Sequence, residues 1–215
     1  MKQTIISRFL AIALMMTTGN LAANAGWTDN LSPYDLNAPL GWATVDGNVT
    51  GGEGGTKVTV TNKTELMNAL KGTDKKIIYV DGEIEFSGLT NVNSVQNKTI
   101  IGMKGAAFVN SKHSASVSET GIMQLSSCKN IILRNIIFKS AGAYDIDGND
   151  NLTIIGSTYI WVDHCDFQDG VDGNFDCVNG SDNICVAWCR FRYLIAPWAG
   201  GCGGSNDHRS CDLWG

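Results

Sequence analysis

Three parallel phrases in the second half of the chain constrain the fold more than any other feature of the sequence. Each begins in a strand-like run and ends in a phenylalanine seven positions later: Ile131 to Phe138, Ile160 to Phe167 and Ile184 to Phe191. Their starting points lie 29 residues apart (131 to 160) and 24 residues apart (160 to 184). Similar units are therefore joined by loops of unequal length, which is typical of solenoid proteins.

Each phrase consists of a short β-branched strand, a bend of polar or small residues, and a second short strand. Such units stack with about 4.8 Å between strands, which predicts an all-β, right-handed parallel β-helix. The alternative is a β-sandwich in which the repeats are accidental. Two columns of stacked residues follow from the β-helix, namely Leu133, Val162 and Val186 in the interior, and Ile136, Cys165 and Cys189.

The first half of the chain predicts one short helix among further strands. Asn62 is a helix N-cap with Glu65 three residues later, and Gly72 supplies a C-terminal stop. Strands are predicted at residues 57–60, 76–80 and 83–86.

The amino-terminal 25 residues have the features of a secretory signal peptide. A charged start precedes an unbroken apolar run from Phe9 to Met16, and Ala23-Asn24-Ala25 forms a small-residue cleavage site. The apolar run is shorter than the roughly 20 residues that span a bilayer. We therefore expect a secreted protein, extracellular or periplasmic, whose residues 26–215 form one domain.

The overall composition excludes some functions and bears on the redox state. A net charge of −5 argues against general nucleic-acid binding, and we expect a monomer without membrane attachment. Seven cysteines in an exported protein suggest disulfides, although the odd number leaves at least one thiol unpaired within the chain. Cys185 and Cys189 have zinc-like spacing, but no second pair completes a tetrahedral site.

Aspartates are concentrated in a short segment that contains no Lys or Arg. Within fourteen positions the chain carries Asp163, Asp166, Asp169, Asp172 and Asp176. Hard oxygen ligands without a neighbouring cation suit Ca²⁺, which takes roughly 6–8 oxygen ligands. The alternative is a solvated acidic surface turn. In the same segment, Trp161 points away from the interior, where we expect it to cover a loop, and we expect His164 to be a packed, hydrogen-bonded residue.

The phrase Trp161-Val162-Asp163-His164-Cys165-Asp166-Phe167 resembles the signature of the family 1 pectate lyases. The resemblance extends from about Gly41 to the end of the chain, including the run Gly51-Gly-Glu-Gly-Gly55. It implies that three carboxylates, Asp150, Asp172 and Asp176, bind the family's Ca²⁺. On a straight strand the last two would lie about 13 Å apart, so we expect Gly173 to help turn the chain between them.

The resemblance implies calcium-dependent β-elimination of polygalacturonate, the (1→4)-α-D-galacturonan of pectin. The sequence departs from the family because it contains no R-x-P-R-x-R-like segment for the catalytic Arg and no Lys after Lys139. We therefore leave the catalytic residue unassigned and expect a lyase domain that is incomplete at its C-terminus. His208 and Arg209 are the candidates for contacting a uronate.

The residue patterns also bear on three other functions. A polygalacturonase would need paired Asp acid and base residues, but Asn-Thr-Asp, Asp-Asp and Gly-His-Gly elements are absent from the sequence. A pectin lyase uses no calcium triad. The stronger alternative is a non-catalytic, calcium-stabilised polysaccharide-binding β-helix, which would lack the same basic residues.

Overall fold

The computed structural model describes residues 39–143 and 146–196. The strands are β1 Thr56–Val60, β2 Lys76–Val80, β3 Glu83–Glu85, β4 Thr90–Asn93, β5 Gln96–Gly102, β6 Ala107–Val109, β7 Met123–Ser126, β8 Lys129–Arg134, β9 Ile137–Lys139, β10 Leu152–Ile155, β11 Thr158–Asp163, β12 Asp166–Gln168, β13 Phe175–Val178, β14 Asp182–Ala187 and β15 Arg190–Arg192. The helices are α1 Lys63–Leu70 and two short 3-10 helices, Gly41–Thr44 and Val117–Glu119. None of the described helices is long and apolar enough to cross a membrane.

In this part of the chain, the strands form three sheets in which every pairing is parallel. Sheet 1 has the order β1-β2-β5-β8-β11-β14, sheet 2 has β15-β12-β9-β6-β3, and sheet 3 has β13-β10-β7-β4. From β4 onward the chain visits sheet 3, sheet 1 and sheet 2 in turn, so that each coil adds one strand to each sheet. This is the predicted parallel β-helix, and the β-sandwich alternative is wrong.

The strand register stacks like residues on like residues through the interior. Leu133 pairs with Val162, and Val162 pairs with Val186, as the repeats predict. Leu133 and Val162 are fully buried, whereas Val186 is 37% exposed. The prediction that Val186 is interior is therefore wrong, because β14 is the last strand of sheet 1 within the described residues.

A column of phenylalanines runs through sheet 2. The ring centroids of Phe108 and Phe138 lie 5.4 Å apart, those of Phe138 and Phe167 4.8 Å, and those of Phe167 and Phe191 5.0 Å. The last two pairs are stacked face to face. Because each buried ring contributes about 1.5–3 kcal/mol of transfer free energy, the terminal Phe of each repeat contributes to the stability of the stack.

The second predicted column contains cysteines with free thiols. Ile136 and Cys165 are fully buried, and the backbone N–H of Cys165 donates to the Cys189 Sγ at 3.4 Å in the next coil. Both thiols are free, so they fill the core and do not bridge the coils. Cys185 instead packs outside the sheet, so the zinc-like spacing does not bring Cys185 and Cys189 to one site.

The predicted helix is present and covers one end of the stack. Asn62 Oδ1 accepts from the Glu65 backbone N–H at 3.0 Å, and Glu65 Oε2 accepts from the backbone N–H of Thr61 at 2.9 Å. The helix buries Leu66, Ala69 and Leu70 in the main core, as the sequence pattern predicts. Gly72 follows the helix with φ +77°, a conformation that glycine adopts at little cost.

The segment that precedes β1 packs against the outer face of sheet 1. Ala43 and Val49 form a small apolar cluster with Ile132 and Trp161. Trp161 lies outside the β-helix interior yet is only 2% exposed. Its predicted orientation away from the interior is confirmed, but the expectation that it covers the next loop is wrong, because it packs against this amino-terminal segment.

Candidate functional site

The acidic segment does not form one cluster, because neighbouring coils neutralise several of its members. Asp163 is 1% exposed, and its Oδ2 lies 2.8 Å from Arg134 Nε and 2.8 Å from His164 Nδ1. Arg134 is the residue paired with Asp163 in the preceding strand of sheet 1. His164 is 3% exposed, so its predicted packing is confirmed, and its Nδ1 lies in contact with the Asp163 carboxylate.

Asp166 is neutralised by the following coil. Its carboxylate, 1% exposed, accepts from Arg190 Nη2 at 2.7 Å and from Arg192 Nη2 at 2.6 Å. The two arginines lie 24 and 26 positions later in the chain, which is about one repeat. The expectation that this segment has no basic partner is therefore wrong, and the repeat length was the signal that could have found these arginines.

Asp169 is held by backbone groups. Its Oδ1 accepts from the N–H groups of Leu194 at 2.6 Å and Ile195 at 2.9 Å, and its side chain is buried. The side chains of Asp163, Asp166 and Asp169 therefore each bind groups of an adjacent coil. The alternative of a solvated acidic surface turn is also wrong for these three residues.

Asp150 lies two positions before β10, the strand that its coil contributes to sheet 3. It is buried, and its Oδ2 accepts a hydrogen bond of 3.1 Å from the Thr153 hydroxyl. Burial, followed by the charges of Asp176 and Asp172, raises the pKa of Asp150 from 3.8 to about 7. The three carboxylates named by the family resemblance are thus close enough to repel one another.

A tight turn between β12 and β13 contains Asp172. A side chain at Gly170 would place its Cβ 1.9 Å from the Gly173 carbonyl oxygen, so only glycine fits at that position. Asn174 Oδ1 accepts from the Gly170 N–H at 3.2 Å and from Asn151 Nδ2 at 2.8 Å. The turn shown by these contacts spans residues 170–174, and the close approach that requires a glycine is at Gly170; a turning role of Gly173 between the two aspartates stays a prediction.

Strand register places Asp176 beside the residue that supports Asp150. Asp176 of β13 pairs with Thr153 of β10, whose hydroxyl donates to Asp150. Across the described ranges, no three His, Cys, Asp or Glu side chains are already arranged around a single metal position. The ligand set of Asp150, Asp172 and Asp176 therefore stays a prediction, as do His208 and Arg209, which lie outside the described residues.

Comparison with known sequences identifies the family. The family model described as pectate lyase matches residues 12–190. This chain belongs to the pectate lyase family. As a member of that family it resembles the pectate trisaccharide-lyase of Thermotoga maritima, with 32% identity over 167 residues, 71% of this chain and 42% of that protein.

Other relatives of this pectate lyase family member agree. Pectate lyase plyB of Emericella nidulans is 32% identical over 178 residues, which cover 79% of this chain and 49% of the fungal protein. The chain thus spans about half the length of these curated relatives.

Solved pectate lyase structures share the fold. A structure titled "Pectate lyase bound to hexasaccharide" superposes with a TM-score of 0.56 at 23% identity, over 73% of this chain and 59% of that one. The cedar pollen allergen jun a 1 superposes with a TM-score of 0.54 at 18% identity, over 69% of this chain and 47% of that one. Both likenesses support the parallel β-helix.

Proposed function

We propose that this protein takes part in calcium-dependent β-elimination of (1→4)-α-D-galacturonan, with Asp150, Asp172 and Asp176 as calcium ligands. The observation that supports the proposal is the buried Asp150 carboxylate, which accepts from the Thr153 hydroxyl, while Thr153 pairs in register with Asp176 of the next coil. Burial, followed by the charges of Asp176 and Asp172, raises the pKa of Asp150 to about 7. Relatives named pectate lyase and pectate trisaccharide-lyase support the reaction class.

The chemistry of the three side chains fits a calcium ion. Carboxylate oxygens are the hard ligands that Ca²⁺ prefers, and the mutual repulsion of three anions would be relieved by a divalent cation. Bound Ca²⁺ would supply charge that holds a uronate carboxylate and makes the C5 proton of the sugar more acidic.

Three contacts of the surrounding residues support this ligand set. The Thr153 hydroxyl donates to Asp150, Thr153 pairs in register with Asp176 of the adjacent coil, and Asn174 accepts from the Gly170 N–H across the turn that contains Asp172. The proposal names no catalytic base, because the sequence contains no R-x-P-R-x-R-like segment. Secretion through residues 1–25 and uronate contacts from His208 and Arg209 are parts of the same proposal.

A non-catalytic role in binding the polysaccharide is the second candidate function. Such a binder would need the calcium site and no base. Polygalacturonate should bind in either case, but only a lyase forms a 4,5-unsaturated end that absorbs in the ultraviolet.

The two candidates are separated by following that absorbance with polygalacturonate, in calcium and in EDTA. We expect calcium-dependent product from the wild-type chain and little from Asp176→Asn. The matched control is Asp81→Asn, which makes the same chemical change at an exposed turn between β2 and β3. Binding of polygalacturonate without any unsaturated product would favour the non-catalytic role, and calcium-independent product would contradict the assigned ligands.

A further inference from the structure

A polar cavity lies on the side of the β-helix where the amino-terminal segment meets sheet 1. It encloses about 370 Å³, and its lining includes Asp46, Asn48, Gln96, Lys129 and Tyr159. The cavity is large enough for a sugar ring and is open to solvent. None of these residues belongs to the interior columns or to the proposed calcium ligands Asp150, Asp172 and Asp176, called here the acidic cluster.

Tyr159 shares a left-handed backbone with its neighbours in the stack but differs from them in residue type. Left-handed positions with φ 59° and 52° are occupied by Asn130 and Asn183 in the adjoining coils, but the intervening coil has Tyr159 at φ 55°. Asparagine tolerates this conformation, whereas a bulky aromatic residue rarely adopts it. Strained backbone of this kind is concentrated at functional sites, and here the tyrosine forms one wall of the cavity.

Some lining groups are committed to the fold and others are available to a ligand. Asn130 Oδ1 accepts from the Thr50 and Gly51 N–H groups at 2.7 and 2.8 Å, which fixes the loop that borders the cavity. By contrast, the side-chain amides of Asn48 and Gln96 make no hydrogen bond to any other described residue. These two amides can therefore donate to and accept from a ligand.

The cavity contains one cation and one anion. The Lys129 ammonium lies 5.4 Å from the centroid of the Tyr159 ring, which attracts it through the negative face of the ring. The Tyr159 hydroxyl donates to the Asp46 carbonyl oxygen at 3.2 Å and so ties the ring to the rim. The exposed Asp46 side chain contributes a carboxylate that can accept from hydroxyl groups.

This set of groups matches a sugar acid better than a simple anion. The ammonium can bind a carboxylate, while the two amides and the Asp46 carboxylate suit the hydroxyl groups of a sugar ring. A phosphate or sulfate would use the ammonium but offers few or no hydroxyl groups to the two amides and the Asp46 carboxylate. A neutral sugar would leave the ammonium without a partner in the ligand.

The cavity is separate from the acidic cluster. Its residues Gln96, Lys129 and Tyr159 lie at the starts of β5, β8 and β11 in sheet 1. The acidic cluster lies at the starts of β10 and β13 in sheet 3. Strand β10 of sheet 3 separates the two positions along the chain. It is four residues long, which corresponds to about 13 Å.

We propose that this cavity is a second, calcium-independent binding site for an acidic sugar, with Lys129 holding the sugar carboxylate. The choice of galacturonate as that sugar rests on the proposed function. The site would hold a segment of the polysaccharide outside the acidic cluster and raise its local concentration there.

Titration calorimetry of the full chain with trigalacturonate in EDTA tests the proposal. We expect saturable binding that Lys129→Met weakens by about tenfold, through loss of a charge-assisted contact, and that Lys129→Arg largely preserves. The matched control is Lys104→Met, which removes an exposed lysine elsewhere on the surface. Methyl-esterified trigalacturonate should bind the wild-type chain about as weakly as trigalacturonate binds Lys129→Met.

Asp176→Asn separates this site from the acidic cluster. We expect that variant to retain binding in EDTA, whether or not the wild-type chain forms unsaturated product in calcium. Absence of binding in EDTA, or equal affinity of Lys129→Met and wild type, would overturn the second site and leave the lyase proposal intact. If binding in EDTA depends on Lys129 but no product forms in calcium, the second site stands and the lyase proposal fails.

Discussion

Asp166 of β12 pairs in register with Arg190 of β15, and its Oδ2 accepts a hydrogen bond of 2.7 Å from Arg190 Nη2. The carboxylate is 1% exposed, whereas the arginine is 38% exposed. A buried anion is thus neutralised by a partly solvated cation from the next coil. Such a contact links successive coils and makes their order specific.

Replacing Asp166 with Asn should destabilise the fold, because Arg190 and Arg192 would lose their shared carboxylate. We expect a loss of about 1–3 kcal/mol in the free energy of unfolding, at the lower end because both arginines are partly solvated. Urea denaturation followed by circular dichroism measures it. The control Asp81→Asn should change that free energy by no more than about 0.5 kcal/mol, and equal losses in both variants would contradict the buried pairing.

Trp161→Ala should release the amino-terminal segment from sheet 1. Trp161 is the largest side chain in the outer cluster with Ala43 and Val49, and its removal leaves a cavity there. We expect faster hydrogen exchange at the Thr50 and Gly51 amides, with slow exchange preserved at the interior strand β8.

The control for that experiment is Trp188→Ala, which removes a tryptophan that is 58% exposed. It should leave exchange at both amides unchanged. Unaltered exchange at Thr50 and Gly51 in Trp161→Ala would show that the outer cluster does not hold the segment.

With calcium removed by EDTA, the free energy of unfolding of the protein should fall as pH rises from about 4 to about 7. The pKa of Asp150 is raised from 3.8 to about 7 in the folded state, so the folded chain binds the proton more tightly than the unfolded chain. Stability from this group is therefore present below about pH 4 and is lost as pH rises through the folded value.

Denaturation in EDTA across this pH range, with the Asp150→Asn variant alongside, measures the effect. The variant should show a shallower decline than wild type, because an amide does not titrate. Asp81→Asn should keep the decline of the wild type. Parallel curves for wild type and Asp150→Asn would show that Asp150 titrates near its ordinary pKa.

The fold could be predicted from the sequence because the repeated phrases determine it. Phe138, Phe167 and Phe191 recur at intervals that only a stacked architecture brings together, and the structure stacks them. The charge pairs follow the same repeat. Arg190 and Arg192 lie 24 and 26 residues after Asp166, which is one coil away in space but distant in the chain, so the composition of the acidic segment alone does not reveal its basic partners.

The candidate site was less accessible to prediction from residue patterns. Asp150 and Asp176 belong to different coils, and the turn at Gly170 that brings in Asp172 depends on a close approach to the Gly173 carbonyl. Local propensity does not encode such a contact. The family resemblance supplied the three residue numbers, and the structure adds the register of Asp176 with Thr153, the residue whose hydroxyl donates to Asp150.

Calorimetric titration of Ca²⁺ into the chelator-treated chain tests the central claim most directly. If Asp150, Asp172 and Asp176 share one ion, the wild-type chain and Asp81→Asn should each bind about one Ca²⁺ per chain, and conversion of any of the three to Asn should abolish or greatly weaken that binding. No binding by the wild-type chain at up to millimolar Ca²⁺, or unchanged affinity in the three variants, would contradict the calcium site and the β-elimination that depends on it.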